Sequence, residues 1–245
     1  ACLGLLFSVY SAADEYAIER KLFIDAEKYL QQKKFDDFYL LYAKLDNYPL
    51  QPYLTQQLLK QNMSLAKADD ISQFLKKYQG TALDWSLRKK WLLYLAKHEQ
   101  AKLFLADYRP SSNAALTCHY LHYQLEQGLP AITVLPQVSK LWLVAKSQTK
   151  KCDPLFERWQ QAGYQTQALV WQRIKLAGDG GDHTLIPYLT KFLPLHEQYL
   201  GKLWRRVRRD PGYIVKLDRF EKKSAKETEI VFYGLKRLIW RDQNA

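Results

Sequence analysis

Apolar residues recur every three or four positions along most of this chain, which is the spacing of one face of an α-helix. The clearest stripes are Ile18, Leu22, Ala26 and Tyr29; Phe38, Leu41/Tyr42 and Leu45; Leu87, Trp91 and Tyr94/Leu95; Ile132, Leu135, Val138, Leu141/Trp142 and Ala145; and Val231, Leu235, Leu238 and Ile239. We find no convincing alternation of apolar and polar residues of the kind that a half-buried strand shows. The pattern predicts an all-α protein.

Residues typical of helix ends separate these stripes at short intervals. The breaks fall at residues 48–52, at Asn113, at residues 128–130, at Asp153 and Pro154, at Gly163, at residues 178–182 and at residues 210–212. We expect Asn113 and Asp153 to act as N-caps, and Pro52 and Pro154 to lie in first turns. About fourteen short helices fit the chain, and their short links favour antiparallel neighbours. We predict a right-handed superhelix of tetratricopeptide-like hairpins, an α-solenoid without a strict repeat.

The choice of apolar residues supports this fold class. The chain holds 40 Leu against 8 Val, and only 10 of its 245 residues are Gly. Helices favour Leu, whereas strands favour β-branched residues such as Val. The hydrophobic share of 47% is enough for a packed interior.

Positive charge is concentrated towards the end of the chain. The formal net charge is +12, and residues 201–245 hold thirteen Lys or Arg against six Asp or Glu, a local excess of +7. In a helix over this part, Leu203, Trp204 and Val207 should face inward. The arginines between them would then face solvent as a candidate contact for an anionic polymer: Arg205, Arg206, Arg208 and Arg209. A solvated basic face is the alternative interpretation.

The first thirteen residues differ from the rest. A short apolar run, residues 3–9, is followed by small residues and then by Asp14. This order is typical of the second half of a signal peptide, so we expect residues 1–13 to be its remnant and the protein to be exported. With Cys2 removed, Cys118 and Cys152 remain, an even number in an oxidising compartment. A disulfide between them would stabilise the fold by roughly 3–4 kcal/mol; two buried free thiols are the alternative.

Other clusters favour ordinary structural roles. Cys118, His119 and His122 have a spacing that can chelate zinc, but no second ligand pair lies near them in sequence, so we predict no metal site. Residues 178–182, GDGGD, lack the strand and the Lys-Ser/Thr ending of a phosphate-binding loop, and we expect an interhelical turn. No serine elbow and no Glu suited to glycoside cleavage stands out. We predict no catalytic residue and no cofactor.

Two sequence blocks resemble the soluble lytic murein transglycosylase family. Residues 46–54, DNYPLQPYL, are similar to a D-Y-P-L-x-P-Y-L signature near the N-terminus of that family. The second block comprises KLWL at 140–143, KSQ at 146–148, CDPLF at 152–156, Trp159, Gly163 and RIKLA at 173–177. Cys118 matches an earlier family cysteine, which supports its pairing with Cys152. The family's E-S-x-x-x-P and G-L-M-Q-I-M-P patterns are absent from the sequence.

The resemblance implies a periplasmic protein of a Gram-negative bacterium, whose helices build a U-shaped superhelix. Residues 14–245 would form this U-domain, which we expect to be truncated at its C-terminal end. The expected partners are peptidoglycan strands and a C-terminal lysozyme-like domain of the same protein, which cleaves the MurNAc–GlcNAc bond and leaves 1,6-anhydromuropeptides. We expect a monomer without a transmembrane segment and without nucleic acid. The alternatives are a non-catalytic scaffold that binds peptidoglycan or a partner protein, and a basic nucleic-acid-binding repeat.

Overall fold

The computed structural model describes residues 16–220 and 222–242, and these contain thirteen α-helices and no strand. The predicted all-α fold class is therefore confirmed, with a helix number close to the expected fourteen. The signal-peptide prediction for residues 1–13 lies outside the described residues. None of the helices in the described part is long and apolar enough to cross a membrane. The chain divides into two compact units, Ala1–Arg109 and Pro110–Ala245.

The first unit contains six helices in its described part. They are α1 (Ala17–Gln31), α2 (Phe35–Tyr42), α3 (Gln51–Gln61), α4 (Ala68–Lys77), α5 (Ala82–Lys97) and α6 (Ala101–Asp107). Helix α1 packs against α2 and α3, and α5 packs against α3, α4 and α6. Predicted stripe residues such as Ala26, Phe38 and Leu45 are fully buried between the first helices. The predicted stripe of α5 is also buried at Leu87 and Trp91.

A buried polar network lies within this unit. Arg88, which is 2% exposed, donates from Nε to Asp84 Oδ1 at 2.6 Å and from Nη2 to the Leu75 carbonyl at 3.2 Å. Asp107 accepts hydrogen bonds at one carboxylate oxygen from Trp91 Nε1 at 2.8 Å and from Ser72 Oγ at 2.7 Å. The buried guanidinium also donates from Nη1 to the Asp107 carbonyl at 2.5 Å, so one carboxylate and two carbonyls offset its desolvation.

The second unit contains seven helices in its described part. They are α7 (Ala114–Glu126), α8 (Ala131–Trp142), α9 (Asp153–Gln161), α10 (Gln167–Gly178), α11 (Ile186–Thr190), α12 (Tyr199–Arg209) and α13 (Ala225–Asp242). Its core contains several tryptophan rings in contact. The ring centroids of Trp142 and Trp159 are 5.4 Å apart. The ring centroid of Trp204 lies 5.6 Å from that of Trp171 and 4.8 Å from that of Tyr233. Large side chains from distant helices therefore share one interior.

Local sequence signals explain the helix ends. Asn113 caps α7 by accepting a hydrogen bond from the Leu116 N–H at 3.2 Å, as predicted. Pro52 and Pro154 lie in the first turns of α3 and α9. Asp153 is the first residue of α9 and not its N-cap, because the preceding 3₁₀ turn Lys150–Cys152 leads directly into the helix. The predicted cap at this residue is therefore wrong.

The predicted apolar stripe of the last helix is correct only in part, since two of its residues, Val231 and Leu238, are partly buried against the core of the second unit. Among the described residues of α13, the buried ones are Glu227, Ile230, Tyr233 and Gly234, while Leu235 and Ile239 are 42% and 58% exposed. The reason is Gly234, whose missing side chain lets α13 approach α12: a Cβ there would lie 2.8 Å from Val207 Cγ1. A glycine therefore marks the buried face, which a search for large apolar residues overlooks.

Candidate functional site

Helix α12 carries the four arginines that the sequence singles out. Its inward face consists of Leu200, Leu203, Trp204 and Val207, which are all buried. The repeat of three and four residues leaves the arginines on the opposite side, and Arg205, Arg206 and Arg209 are exposed. The prediction that Leu203, Trp204 and Val207 face inward is therefore confirmed.

Close packing fixes the rotation of α12 about its axis. Gly201 lies against Thr190 of α11, and a Cβ at Gly201 would overlap the Thr190 side chain. On the same face, the Trp204 ring stacks on Tyr233 of α13 with centroids 4.8 Å apart. Because both neighbours restrict the helix, the direction in which its arginines point is defined by the core.

The arginines line a groove of about 410 Å³. Six basic residues form its walls: His183, Lys202, Arg205, Arg206, Arg208 and Arg209. No carboxylate is among these lining residues, and none of the six forms an ion pair in the described part of the chain. We call this feature the basic groove. Uncompensated positive charge of this kind attracts anionic groups.

Two of the guanidinium groups have restricted environments. The Arg206 guanidinium carbon lies 5.0 Å above the centroid of the Tyr213 ring. Arg208 is half-buried, and its Nε has no hydrogen-bond partner among the described residues. A stacked guanidinium keeps its N–H groups free at the edge for carboxylate or phosphate oxygens. The groove can therefore bind anions without first breaking an ion pair within residues 16–220 and 222–242.

Sequence reasoning missed two members of the groove. Lys202 lies three and four positions before Arg205 and Arg206, so helical spacing alone could have identified it. His183 belongs to the 3₁₀ turn His183–Leu185, and only the fold brings it to α12.

The cysteines of the second unit are joined in a disulfide, Cys118–Cys152, which links α7 to the turn before α9. Cys118 is therefore not available as a thiolate ligand beside the histidines that follow it.

The histidines after Cys118 have partners or shifted titration of their own. His122 Nε2 lies 3.1 Å from Glu126 Oε1. Burial, together with the charges of Lys151 and His122, lowers the pKa of His119 below its ordinary value. The described residues contain no group of three or more His, Cys, Asp or Glu that could hold a metal ion.

The glycine-rich loop is a turn between α10 and the next 3₁₀ segment, as predicted. The Asp182 N–H donates to the Ala145 carbonyl at 2.8 Å, and its side chain accepts from the Thr184 N–H at 3.0 Å. Gly181 has no room for a side chain, since a Cβ would overlap the backbone of Ala145. The hydrogen-bonding groups of Asp182 thus bind other residues of the protein, and Gly181 packs against Ala145.

Comparisons with known proteins point to one group of enzymes. No family model matches the chain. The soluble lytic murein transglycosylases of Salmonella typhimurium and Escherichia coli K12 are each 24% identical to it over 216 residues, or 87% of this chain and 33% of theirs. The chain therefore spans about a third of the length of these curated relatives.

Solved structures agree with the sequence comparison. The 70-kDa soluble lytic transglycosylase in complex with bulgecin A matches 95% of this chain with a TM-score of 0.77 at 21% identity. An inactive mutant of the lytic transglycosylase Slt from Pseudomonas aeruginosa matches 89% of this chain with a TM-score of 0.78 at 31% identity, over 36% of its own length. The chain is thus homologous to a segment of the soluble lytic murein transglycosylases that makes up about a third of their length, and it has the same helical fold. The family resemblance of its two sequence blocks is confirmed.

Proposed function

We propose that this chain is the helical scaffold of a lytic transglycosylase, which holds the protein on peptidoglycan while a lysozyme-like domain cleaves the MurNAc–GlcNAc bond. The observation that carries the proposal is the sequence match to a soluble lytic murein transglycosylase, which covers 87% of this chain and 33% of the length of that protein. No active-site pattern of the family occurs in the sequence, so the chemistry belongs to another part of such a protein.

The basic groove supplies the contact with the peptides of the peptidoglycan strand in this proposal. Peptidoglycan peptides carry carboxylates, and the groove presents arginines without internal carboxylate partners in the described chain. Exposed ion pairs are individually weak, about 0.2–1 kcal/mol each, so several are needed to hold a polymer. Four arginines and a lysine around one groove meet this need.

The cellular location follows from the same proposal. A lytic transglycosylase acts on the cell wall, so we infer that the protein resides in the periplasm of a Gram-negative bacterium. The Cys118–Cys152 disulfide supports this location, because structural disulfides persist in oxidising compartments. We also propose that residues 14–245 form one U-domain that acts as a monomer.

The test is retention on purified murein sacculi at low salt, combined with assay of the soluble products. We expect the chain to sediment with the sacculi and to release no 1,6-anhydromuropeptides. The triple variant Arg205→Gln/Arg206→Gln/Arg209→Gln should lose most of this retention. The matched control, Lys21→Gln/Lys28→Gln/Lys89→Gln, removes the same charge from exposed positions of the first unit and should be retained like the original chain.

Two results would overturn the proposal. If the chain stays in the supernatant at low salt, it does not contact peptidoglycan. If both triple variants lose retention equally, net charge and not the basic groove is responsible. A parallel assay with single-stranded DNA separates the nucleic-acid alternative, which requires DNA to bind more tightly than murein.

A further inference from the structure

A second polar cavity lies in the same unit and shares no lining residue with the basic groove. Its volume is about 450 Å³, within the range of small-molecule sites. Residues from α8, α9, α10 and α11 line it, together with the segment between α8 and α9. Three aromatic rings form part of the wall, those of Trp142, Phe156 and Tyr188, and Ser147 and Gln148 add hydrogen-bonding groups. Arg173 is the one arginine among the described residues that line this cavity, and we call it the Arg173 cavity.

Arg173 is a buried cation that lacks a carboxylate partner in the described chain. It is 5% exposed, its Nη2 donates to the Lys146 carbonyl at 3.3 Å, and its Nε is buried without a hydrogen-bond partner. The guanidinium carbon lies 4.5 Å from the centroid of the Trp142 ring. Burial lowers the pKa of Arg173, although a guanidinium remains charged at neutral pH.

The contrast with Arg88 shows that this environment is unusual. Arg88 is equally buried, and its Nε is 2.6 Å from Asp84 Oδ1. Removing an arginine from water is costly unless oxygen atoms replace the lost hydration. Arg88 has those atoms within the protein, whereas among the described residues Arg173 has one carbonyl and an aromatic face. An incoming carboxylate would supply what Arg173 lacks.

Two carboxylates lie on another wall of the same cavity. Asp153 and Glu157 are four residues apart on α9, so they share one helix face. Neither forms an ion pair with a lysine or arginine of the described residues, and neither lies within ion-pair distance of Arg173. Glu157 Oε1 accepts only a long hydrogen bond, 3.3 Å, from Gln161 Nε2. These carboxylates are available for a ligand cation.

We propose that the Arg173 cavity binds a short zwitterionic peptide. The peptide carboxylate pairs with the guanidinium of Arg173, and a peptide ammonium group lies against Asp153 and Glu157. Tyr188, which is 50% exposed, contacts the aliphatic part between the two charges. This inference goes beyond the proposed function, since it requires neither the basic groove nor binding to intact sacculi.

The experiment is calorimetric titration of the whole chain with the tripeptide alanyl-glutamyl-lysine. We expect saturable binding of the free tripeptide. Two modified tripeptides separate the two charges: amidation of the carboxylates removes the partner of Arg173, and acetylation of both amines removes the partner of Asp153 and Glu157. Each modification should weaken binding by about tenfold or more, because charge-assisted hydrogen bonds are lost.

Variants of the chain test the same contacts from the protein side. Arg173→Gln should abolish the preference for the free carboxylate over the amide. Asp153→Asn/Glu157→Gln changes only exposed positions, so it keeps the fold and should abolish the preference for the free amine over the acetylated form. Arg158→Gln is the control, since this exposed arginine of α9 does not line the cavity.

Soluble muropeptides released from sacculi by enzymatic digestion form a second arm, which identifies the cell wall as the source of the peptide. Their competition with the tripeptide supports the proposal. The proposal is overturned if the free tripeptide shows no saturable binding in the millimolar range, or if amidated and free tripeptides bind the original chain equally. Since sacculi are absent from this titration, its failure is distinct from failure of murein retention.

Discussion

The guanidinium carbon of Arg173 lies 4.5 Å from the ring centroid of Trp142, so this buried cation lies on an aromatic face and pairs with no carboxylate of the residues that the structure describes. The two residues come from α10 and α8 and belong to the same sequence block that resembles the transglycosylase family. This relationship distinguishes the second unit from the first, in which Arg88 pairs with Asp84.

The two buried arginines should respond differently to replacement by methionine. Arg88→Met leaves Asp84 buried without its partner, and we expect the free energy of unfolding to fall by about 3–5 kcal/mol. Arg173→Met leaves no carboxylate of the described residues without a partner and loses the contact with Trp142 and one long hydrogen bond to the Lys146 carbonyl, so the expected loss is below about 2 kcal/mol. Urea denaturation followed by circular dichroism measures both. Equal losses would contradict the unpaired state of Arg173.

The Cys118–Cys152 disulfide should stabilise the second unit. It closes a loop with a sequence separation of 34 residues, for which the chain-entropy treatment gives roughly 4 kcal/mol. We expect the double variant Cys118→Ala/Cys152→Ala to unfold at lower urea concentration than the oxidised chain and to become insensitive to reductant. If reductant leaves the unfolding midpoint of the original chain unchanged, the bond does not contribute to stability.

Gly201 should be intolerant of even a methyl group. Gly201→Ala places a Cβ on the Thr190 side chain, and overpacking of this kind costs about 1–3 kcal/mol. The displaced α12 would also carry its arginines to new positions, so retention on sacculi should fall. Gly212→Ala is the matched control, because its Cβ would meet only Asp210 Oδ1, at 3.5 Å. Thermal unfolding of the two variants should therefore differ clearly, and equal melting temperatures would exclude the close contact.

His119 should make the protein less stable in mild acid. Its pKa in the folded state lies below the ordinary value of 6.5, first because of burial and then because of the charges of Lys151 and His122. The unfolded chain therefore takes up the proton first, and the stability present above pH 6.5 is lost as the pH falls through the folded-state pKa. His119→Gln should reduce this loss, which a pH series of urea midpoints measures. An unchanged pH profile would contradict it.

Much of the fold could be predicted from periodicity, because most stripe residues face a neighbouring helix; Ile18 and Ile132, the first residues of two stripes, are exceptions at 75% and 77% exposed. Ala26, Phe38 and Trp91 are buried as their spacing indicates. The last helix could be predicted only in part: Val231 and Leu238 pack against the core as expected, but the burial of Gly234 depends on its approach to Ile214 and Val207.

The candidate site was predictable only in part. The arginines of α12 are close in sequence, and their exposure follows from the apolar residues between them. By contrast, the Arg173 cavity combines residues from Trp142 to Tyr188 that only the tertiary structure brings together. A single arginine on a helix gives no local signal that its partners are absent, because this depends on every element that packs around it.

The salt dependence of murein binding tests the account most directly. We predict that the chain binds sacculi at low ionic strength and that binding weakens steadily as salt screens the exposed charges. At low salt, the variant Arg205→Gln/Arg206→Gln/Arg209→Gln should have a dissociation constant roughly tenfold higher than that of the lysine control variant. Absence of binding at low salt, or binding that is the same in both variants at every salt concentration, would contradict a scaffold that holds peptidoglycan through its basic groove.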